Sequence, residues 1–421
     1  MYKIRIDRDR LQALTDNYLK KYKDSLRNEI KAFLRGDADC VFEKQVGSKN
    51  LKRFTIKVQS GSFTYDFLSD CADPSNSLLD DLLTGDINKQ ISIIQRVNGN
   101  NSNNLKKLTA GKANKMSYKD GTEIDDFNAI MYEIFITRSF DGKNNPVFAL
   151  PLDKNEMVND LDVRVCPYCG RAYTYRVEKS GKEGTVTVKP QLDHFLPKKN
   201  YPFLGMNFFN LIPCCSVCNM APLKLDNDPL DSSKSKVSFL MSPYQFDERK
   251  IRFIYRQTSP DTYNPDTYDI LVGYKEKKHK KGYNGFLAID KFYSKHNIEL
   301  NNMFLRSRAF HAVSNGLYQS IGINDPLLPV YAAAILGFNL SVKEESKQLL
   351  YKFKKDTFLQ MVGGISNSTN QYYVDSNEKE VIVTIPFTDT VFIATSGFRF
   401  FEPVTDQFYK RGGHVVYTDA P

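Results

Sequence analysis

The stretch CPYCGRAYTYRVEKSGKEGTVTVKPQLDHFLPKKNYPFLGMNFFNLIPCCSVCNMAPLK, Cys166 to Lys224, carries most of the chemistry that the chain displays. Two Cys-x-x-Cys pairs, Cys166/Cys169 and Cys215/Cys218, bracket Asp193-His194, and Asn219 follows the second pair directly. Two such turns can present four thiolates to one tetrahedral Zn²⁺ at about 2.3 Å each, with no position left for substrate. A zinc held this way staples the fold and takes no part in the chemistry. A redox pair is the competing reading, but it lacks the βαβ setting in which Cys-x-x-Cys opens a helix. Cys214 stands beside Cys215 and can replace it in a Cys-x-x-x-Cys spacing; the two-residue spacing favours Cys215 and leaves Cys214 as a packed thiol.

Between the pairs, AYTYRVEK and the run from Thr185 to Gln191 alternate like half-buried strands across the turn-forming SGKEG, which predicts Asp193 and His194 at a strand end. A loop rich in proline, glycine and aromatics then leads to Asn210-Leu211-Ile212-Pro213, and a short helix is expected in the Cys215 to Asn219 segment. A strand pair followed by a helix, with an imidazole at the strand end and an asparagine on the helix, surrounds one small cavity with ligands for a hard cation such as Mg²⁺. Taken singly, Asp193, Asn210 and Asn219 are ordinary turn and cap residues, and a lone histidine is ordinarily structural.

The ordered set Cys166-Cys169, Asp193-His194, Asn210-Leu211 and Cys215-Cys218-Asn219 resembles the zinc-containing HNH endonucleases of the ββα-metal superfamily. The resemblance implies a Zn-stapled ββα core; with the mainly helical flanks and the small β-rich C-terminal unit that the periodicity suggests, the expected fold class is α+β. The resemblance also implies His194 as general base toward the water that attacks a phosphodiester, Asp193 and Asn219 as ligands of a catalytic Mg²⁺ or Mn²⁺, and Asn210 as a brace for the loop bearing the histidine. Asn219 stands where many members have histidine, and the lysine that commonly follows three residues later stands further on, as Lys224. Lys198, Lys199 and Lys224 are candidate phosphate contacts. DHFLPKKNYP and NLIPCCSVCN are also similar to stand-alone HNH effectors of bacterial anti-phage defence, including the Septu type, whose nuclease subunit works with a separate ATPase. DNA is the expected substrate, and an ATPase or sensor subunit the expected protein partner. Two alternatives are a zinc-stabilised nucleic-acid-binding protein with a vestigial site, and an RNA-directed nuclease.

Composition bounds the rest. A chain of 421 residues with 41% hydrophobic and 25% charged residues is built like a soluble globular protein of two or three units. Its longest apolar run, VYAAAILGF, is about half of what a membrane span needs, and MYKIRIDR lacks a signal-peptide core. Seven cysteines, four in zinc spacing, fit a reducing cytoplasm. The net charge of +9 permits a polyanionic partner. Lys277, Lys278, Lys280 and Lys281, in the densest basic run, are candidate backbone contacts, with a solvated loop as the alternative. No phosphate-binding glycine loop is visible, so any ATP site must belong to another chain.

The periodicity divides the chain into a mainly helical region with a short hairpin (1–155), the cysteine-bracketed core (156–245), a second helical region (246–365) and a β-rich tail (366–421). Helices are expected from Asp9 to Leu34, Ser77 to Val97 with a break near Gly85, Glu123 to Phe135, Asn297 to Ser320, Leu328 to Leu336 and Lys343 to Val362. RFTIKVQSGSFTYDF reads as a hairpin or a pair of short strands around Gly61, Asn98 to Gly121 as a mobile loop, NDPLDSSKSK as a linker, and VSFLMSPYQF and IRFIYRQ as strands or extended segments. His296 and His311 have no partner at metal-ligand spacing and read as structural.

Overall fold

Helix α1 (Arg8–Arg35) buries Tyr18, Tyr22, Leu26, Ile30 and Phe33 along one face, the three-and-four spacing of the sequence. Asp7 caps it: Oδ1 accepts the backbone N–H groups of Asp9 (3.0 Å) and Arg10 (3.3 Å), donors that a helix start leaves without partners. The computed structural model describes residues 1–35, 40–46, 50–56, 58–100, 123–124, 127–137, 154–175, 177–181, 184–188, 190–220, 222–230, 239–257, 264–307, 309, 333–338, 347–362, 370–376, 379–385 and 416–419. These form a mixed α+β structure of helices and small sheets.

The expected hairpin around Gly61 is not formed. Its partner lies upstream: β1 (Cys40–Val46) pairs antiparallel with β2 (Asn50–Ile56). Beyond Gly61, whose φ of 78° turns the chain, Ser62 Oγ accepts the Tyr65 N–H at 3.1 Å and starts helix α2 (Phe63–Ala72). Phe63 and Phe67 suit a helix face as well as a strand's alternation, and the cap decides between them. Helices α3 (Leu78–Thr84) and α4 (Ile87–Asn100) break at Gly85 as expected; residues 101–121 of the expected loop lie outside the described residues. Strand β3 (Glu123–Ile124) runs parallel to β2, so the helix expected from Glu123 begins later, at α5 (Phe127–Tyr132), and continues into a π turn, Glu133–Thr137. Phe67 and Phe127 form an aromatic seat for Phe203, at ring-centroid distances of 6.2 and 5.9 Å, which docks the loop after His194 onto the N-terminal helices.

After α6 (Lys154–Leu161) comes a hairpin of β4 (Val177–Gly181) and β5 (Gly184–Val188). The strand read from Thr185 to Gln191 stops at Val188. Pro190, which lacks an N–H, separates it from β6 (Gln191–His194), and β6 pairs with β7 (Leu211–Cys214) rather than with the hairpin. The single turn α7 (Ser216–Asn219) follows and packs on β6. The expected linker is also anchored where it is described: Leu230 is buried, and Asp228 accepts hydrogen bonds from Asn200 and Tyr201.

Strands β8 (Ile251–Gln257) and β9 (Tyr268–Tyr274) form a hairpin inside the region expected to be mainly helical. It is followed by α8 (Ile289–Tyr293) and a helix over 297–307, α9; the remainder of the helix expected to Ser320 lies outside the described residues apart from residue 309, which is helical. Residues 333–336 are helical, and α10 (Tyr351–Val362) starts eight residues after the expected Lys343; residues 343–346 are outside the described set. The tail strands β10 (Asn370–Ser376), β11 (Lys379–Ile385) and β12 (Val416–Asp419) join the same sheet, in the order β12-β11-β10-β9-β8. The junction is the Tyr373–Tyr274 pair.

The outer edge of β8 is closed by side chains of α10. Asp356 accepts the Phe253 N–H at 2.9 Å, while Gln360 accepts the Tyr255 N–H at 3.0 Å and donates to its carbonyl at 2.8 Å. Asp356 also meets Arg252 at 2.7 Å and Lys352 at 2.9 Å, all three side chains being at most 3% exposed. Asp356→Ala would remove the carboxylate that two buried cations face and leave a strand edge open. It is expected to cost about 3–5 kcal/mol in urea unfolding; a loss within about 0.5 kcal/mol, the range of a neutral surface change, would mark the cluster as dispensable.

Candidate functional site

The first cysteine turn is built on backbone bonds. Val165 and Tyr173 bridge across it, Cys166 N–H donates to Ala172 O (2.8 Å), Gly170 N–H donates to Cys166 O (2.7 Å), and Arg171 N–H points at Cys169 Sγ (3.4 Å). Gly170, at φ 69°, supplies the left-handed step that folds the turn back. Opposite it, Cys215 precedes α7 and Cys218 lies within it. All four cysteines are buried, and their sulfurs lie within 4.8 Å of one another. Sulfurs at about 2.3 Å from a tetrahedral ion stand about 3.8 Å apart, and the Cys169 to Cys215 separation is 3.9 Å. The set therefore fits a metal such as zinc. Burial pushes the Cys166 thiol well above its ordinary value, whereas hydrogen bonds from the neighbouring sulfurs, first from Cys166, hold Cys169 well below. Cys214 is buried outside the cluster, which makes Cys215 the ligand candidate.

Distant elements grip this turn by its carbonyls. The Tyr293 hydroxyl donates to Cys169 O (2.6 Å), the Tyr2 hydroxyl to Val165 O, and the Leu350 N–H to Gly170 O (2.7 Å). The staple thus joins the N-terminal segment, the core and the C-terminal helical layer.

The second part of the site is the loop from Phe195 to Phe209. Asn210, fully buried, donates to Leu196 O (3.1 Å) and Leu204 O (3.0 Å) and accepts the Leu196 N–H (2.6 Å), while its own carbonyl accepts the Phe195 N–H (2.8 Å). One carboxamide thereby closes the loop that leaves β6. Asn207, which the sequence reading did not single out, fastens it from outside: Oδ1 accepts the backbone N–H groups of Phe209 and Asn210 and the Gln90 amide (2.7 Å), and Nδ2 donates to Gly85 O (3.1 Å). Its position three residues before Asn210 in NFFN is a cap signal that could have been used.

His194, half-buried, ends β6 with Nε2 3.0 Å from Gly205 O. A carbonyl only accepts, so this bond fixes the proton on Nε2 and leaves Nδ1 as the acceptor nitrogen. Asn219, half-buried, ends α7 against the strand that carries His194.

Asp193 departs from expectation. It is 3% exposed and both oxygens are engaged: the Tyr168 hydroxyl donates to Oδ2 (2.6 Å), and Lys224 Nζ lies 2.9 Å from Oδ2 and 3.3 Å from Oδ1. Burial pushes its carboxyl up, against the pull of Lys224 and of the Tyr168 hydroxyl. As folded, Asp193 does not fit a divalent ion. Lys224, fully buried, is likewise no phosphate contact: it is spent on Asp193 and on His194 O (2.8 Å). Tyr168, inside the first Cys-x-x-Cys, was not singled out either, and nothing in the sequence marks it.

Lys198 and Lys199 are half-buried on the same loop, Lys199 facing Asp226 at 3.7 Å. The basic run is not a solvated loop: Lys278–Lys280 form a helical turn with His279 buried against Phe239 O (3.0 Å). Lys278 pairs with Glu276 (2.6 Å), and Lys281 stands 4.0 Å over the Phe239 ring; Lys277 and Lys281 are exposed and Lys280 half-buried. His296 pairs with Glu299 (3.3 Å), in keeping with a structural role, and His311 lies outside the described residues.

Elemental analysis is expected to find roughly one metal equivalent per chain, and Cys166→Ser or Cys218→Ser to lose it and, with it, cooperative melting. Asn210→Ala should speed hydrogen exchange of the Leu196 amide by about tenfold or more, from the ~1–3 kcal/mol cost of an unmet buried bond; unchanged exchange would remove its bracing role. Compared with protein-family models, curated proteins and solved structures, the chain shows no significant match to any.

Proposed function

We propose that the chain is an HNH endonuclease that hydrolyses phosphodiester bonds of DNA, with His194 as the general base. The observation that carries this is the succession of β6, β7 and α7, with His194 at the strand end, its loop closed by Asn210, and its Nε2 proton committed to Gly205 O. A base of this kind must offer an unprotonated nitrogen in a fixed direction, and the tautomer set by the carbonyl makes Nδ1 that nitrogen. Nδ1 would take the proton of the attacking water while the ring, tethered through Nε2, keeps its orientation. The four cysteines would hold zinc as a closed structural site, which supplies rigidity and no open coordination position. Asn210 acts through His194, by holding the loop behind it, and is a positioning residue.

A nuclease of this type also calls for Mg²⁺ or Mn²⁺ at Asp193 and Asn219, an arrangement that the folded site, with Lys224 on Asp193, does not by itself offer. That ion pair is the one observation favouring the second reading, a zinc-stabilised nucleic-acid-binding protein without cleavage. Lys198 and Lys199, on the loop after His194, are the nearest candidates in sequence for flanking phosphates, and Lys277, Lys278, Lys280 and Lys281 for a more distant stretch of backbone. A role in bacterial anti-phage defence beside a separate ATPase, in a reducing cytoplasm, extends the same proposal. Among the described residues no helix is long and apolar enough to cross a membrane.

Plasmid nicking in Mg²⁺ or Mn²⁺ tests the proposal. His194→Ala is expected to lower the rate by about 100-fold or more with metal content and melting unchanged. Nicking by His194→Ala at the wild-type rate would remove the base assignment, and salt-sensitive DNA binding without cleavage by the wild type would favour the second reading.

A further inference from the structure

A divalent ion at Asp193 has a rival inside the protein. The Lys224 ammonium lies within 3.3 Å of both carboxylate oxygens and donates to His194 O, with its side chain 0% exposed. The Tyr168 hydroxyl takes a further lone pair of Oδ2. Mg²⁺ bound to either oxygen would stand at about 2.0–2.1 Å, on the lone pairs that now face the ammonium, and two cations that close in a dry interior repel strongly. Ion and ammonium cannot share the carboxylate.

The segment that delivers Lys224 differs from the elements around it. Leu225, the next residue, sits at φ 25°, a left-handed value costly for a side chain with a Cβ, and it is 44% exposed. Asn227 N–H closes the turn on Lys224 O (2.6 Å), and Asp226 and Asp228 tie it to Lys199, Asn200 and Tyr201 by polar contacts. Leaving the left-handed value would release the strain at Leu225, and moving the turn would give up little apolar burial there. Loop residues that can absorb a large backbone change are where a strap hinges.

We infer that Lys224 is a built-in rival cation: Asp193 accepts a divalent ion only in exchange for the ammonium, which leaves by movement of residues 222–228. The inference rests on Asp193 being an ion ligand in the proposed nuclease site. If the inserted form is favoured by a factor K, the apparent dissociation constant of the ion rises by 1 + K. The site then stays closed at low divalent concentration with every catalytic residue in place.

Mn²⁺ binding to the full chain, loaded with its structural metal and followed by electron paramagnetic resonance of the free ion, tests this. Lys224→Met is expected to bind Mn²⁺ at least about tenfold more tightly than wild type, and adding Asp193→Asn should abolish the gain. A folded Lys224→Met that binds no more tightly than wild type overturns the inference. Because that variant leaves a buried carboxylate without a counter-ion, a second measurement uses the wild-type chain: acylation of lysines by sulfo-NHS acetate, read by peptide mass spectrometry. Lys224 should be protected without Mn²⁺ and modified at saturating Mn²⁺, with exposed lysines such as Lys277 modified in both; protection of Lys224 unchanged by Mn²⁺ overturns the inference when Lys224→Met does not fold. Neither readout uses DNA. A failed exchange therefore leaves the His194 proposal standing, and an inactive nuclease leaves the exchange measurable.

Discussion

Four buried sulfurs within 4.8 Å of one another cannot all be thiolates unless a cation stands between them. That constraint organises the molecule. One cysteine pair lies at the entrance to the core and the other at its end, so closing the cluster brings β6, β7 and α7 together across a long loop. The carbonyls of the first turn are then the anchor points for Tyr2, Tyr293 and Leu350, which come from before and after the core in sequence. Elements that share no local sequence signal meet because each satisfies a backbone group that the turn leaves open.

The loop after His194 is held by a different economy. It spends asparagine where a regular element would spend backbone pairing: Asn210 closes the loop on itself, and Asn207 fastens it to the junction of α3 and α4. Phe203 adds an apolar anchor among the rings of α2 and α5. The histidine is consequently rigid although it stands at the edge of a long excursion. Its neighbour Asp193 is held by the opposite means, a buried ion pair with a tyrosine hydroxyl, which is costly to break and leaves the carboxylate no unused face. Two adjacent residues of one strand thus present different chemistry, one nitrogen fixed by a carbonyl and one carboxylate neutralised by an ammonium.

Much of this was legible in the letters. The cysteine spacing picked out the four sulfurs that cluster, periodicity located many of the helices and strands, and Asn210, singled out through the resemblance, makes the hydrogen bonds that close its loop. Local periodicity failed where two elements compete for one pattern, as at Phe63 and Phe67, where Ser62 and its cap decided for a helix. It also failed for pairing partners: β9 takes up strands from the tail about a hundred residues on, and α10 finishes the edge of β8 with Asp356 and Gln360. No short-range rule foretells such contacts, because the entropy of closing a long loop is repaid only by the whole sheet.

By itself, then, the sequence determined which residue types stand in which order around the cysteine staple, since metal ligation and helix capping depend on spacing along the chain. Tertiary structure alone decided the partners of the charged groups. Lys224 turns inward onto Asp193 instead of outward to solvent, because a buried carboxylate demands a counter-ion from whatever segment folding brings within reach.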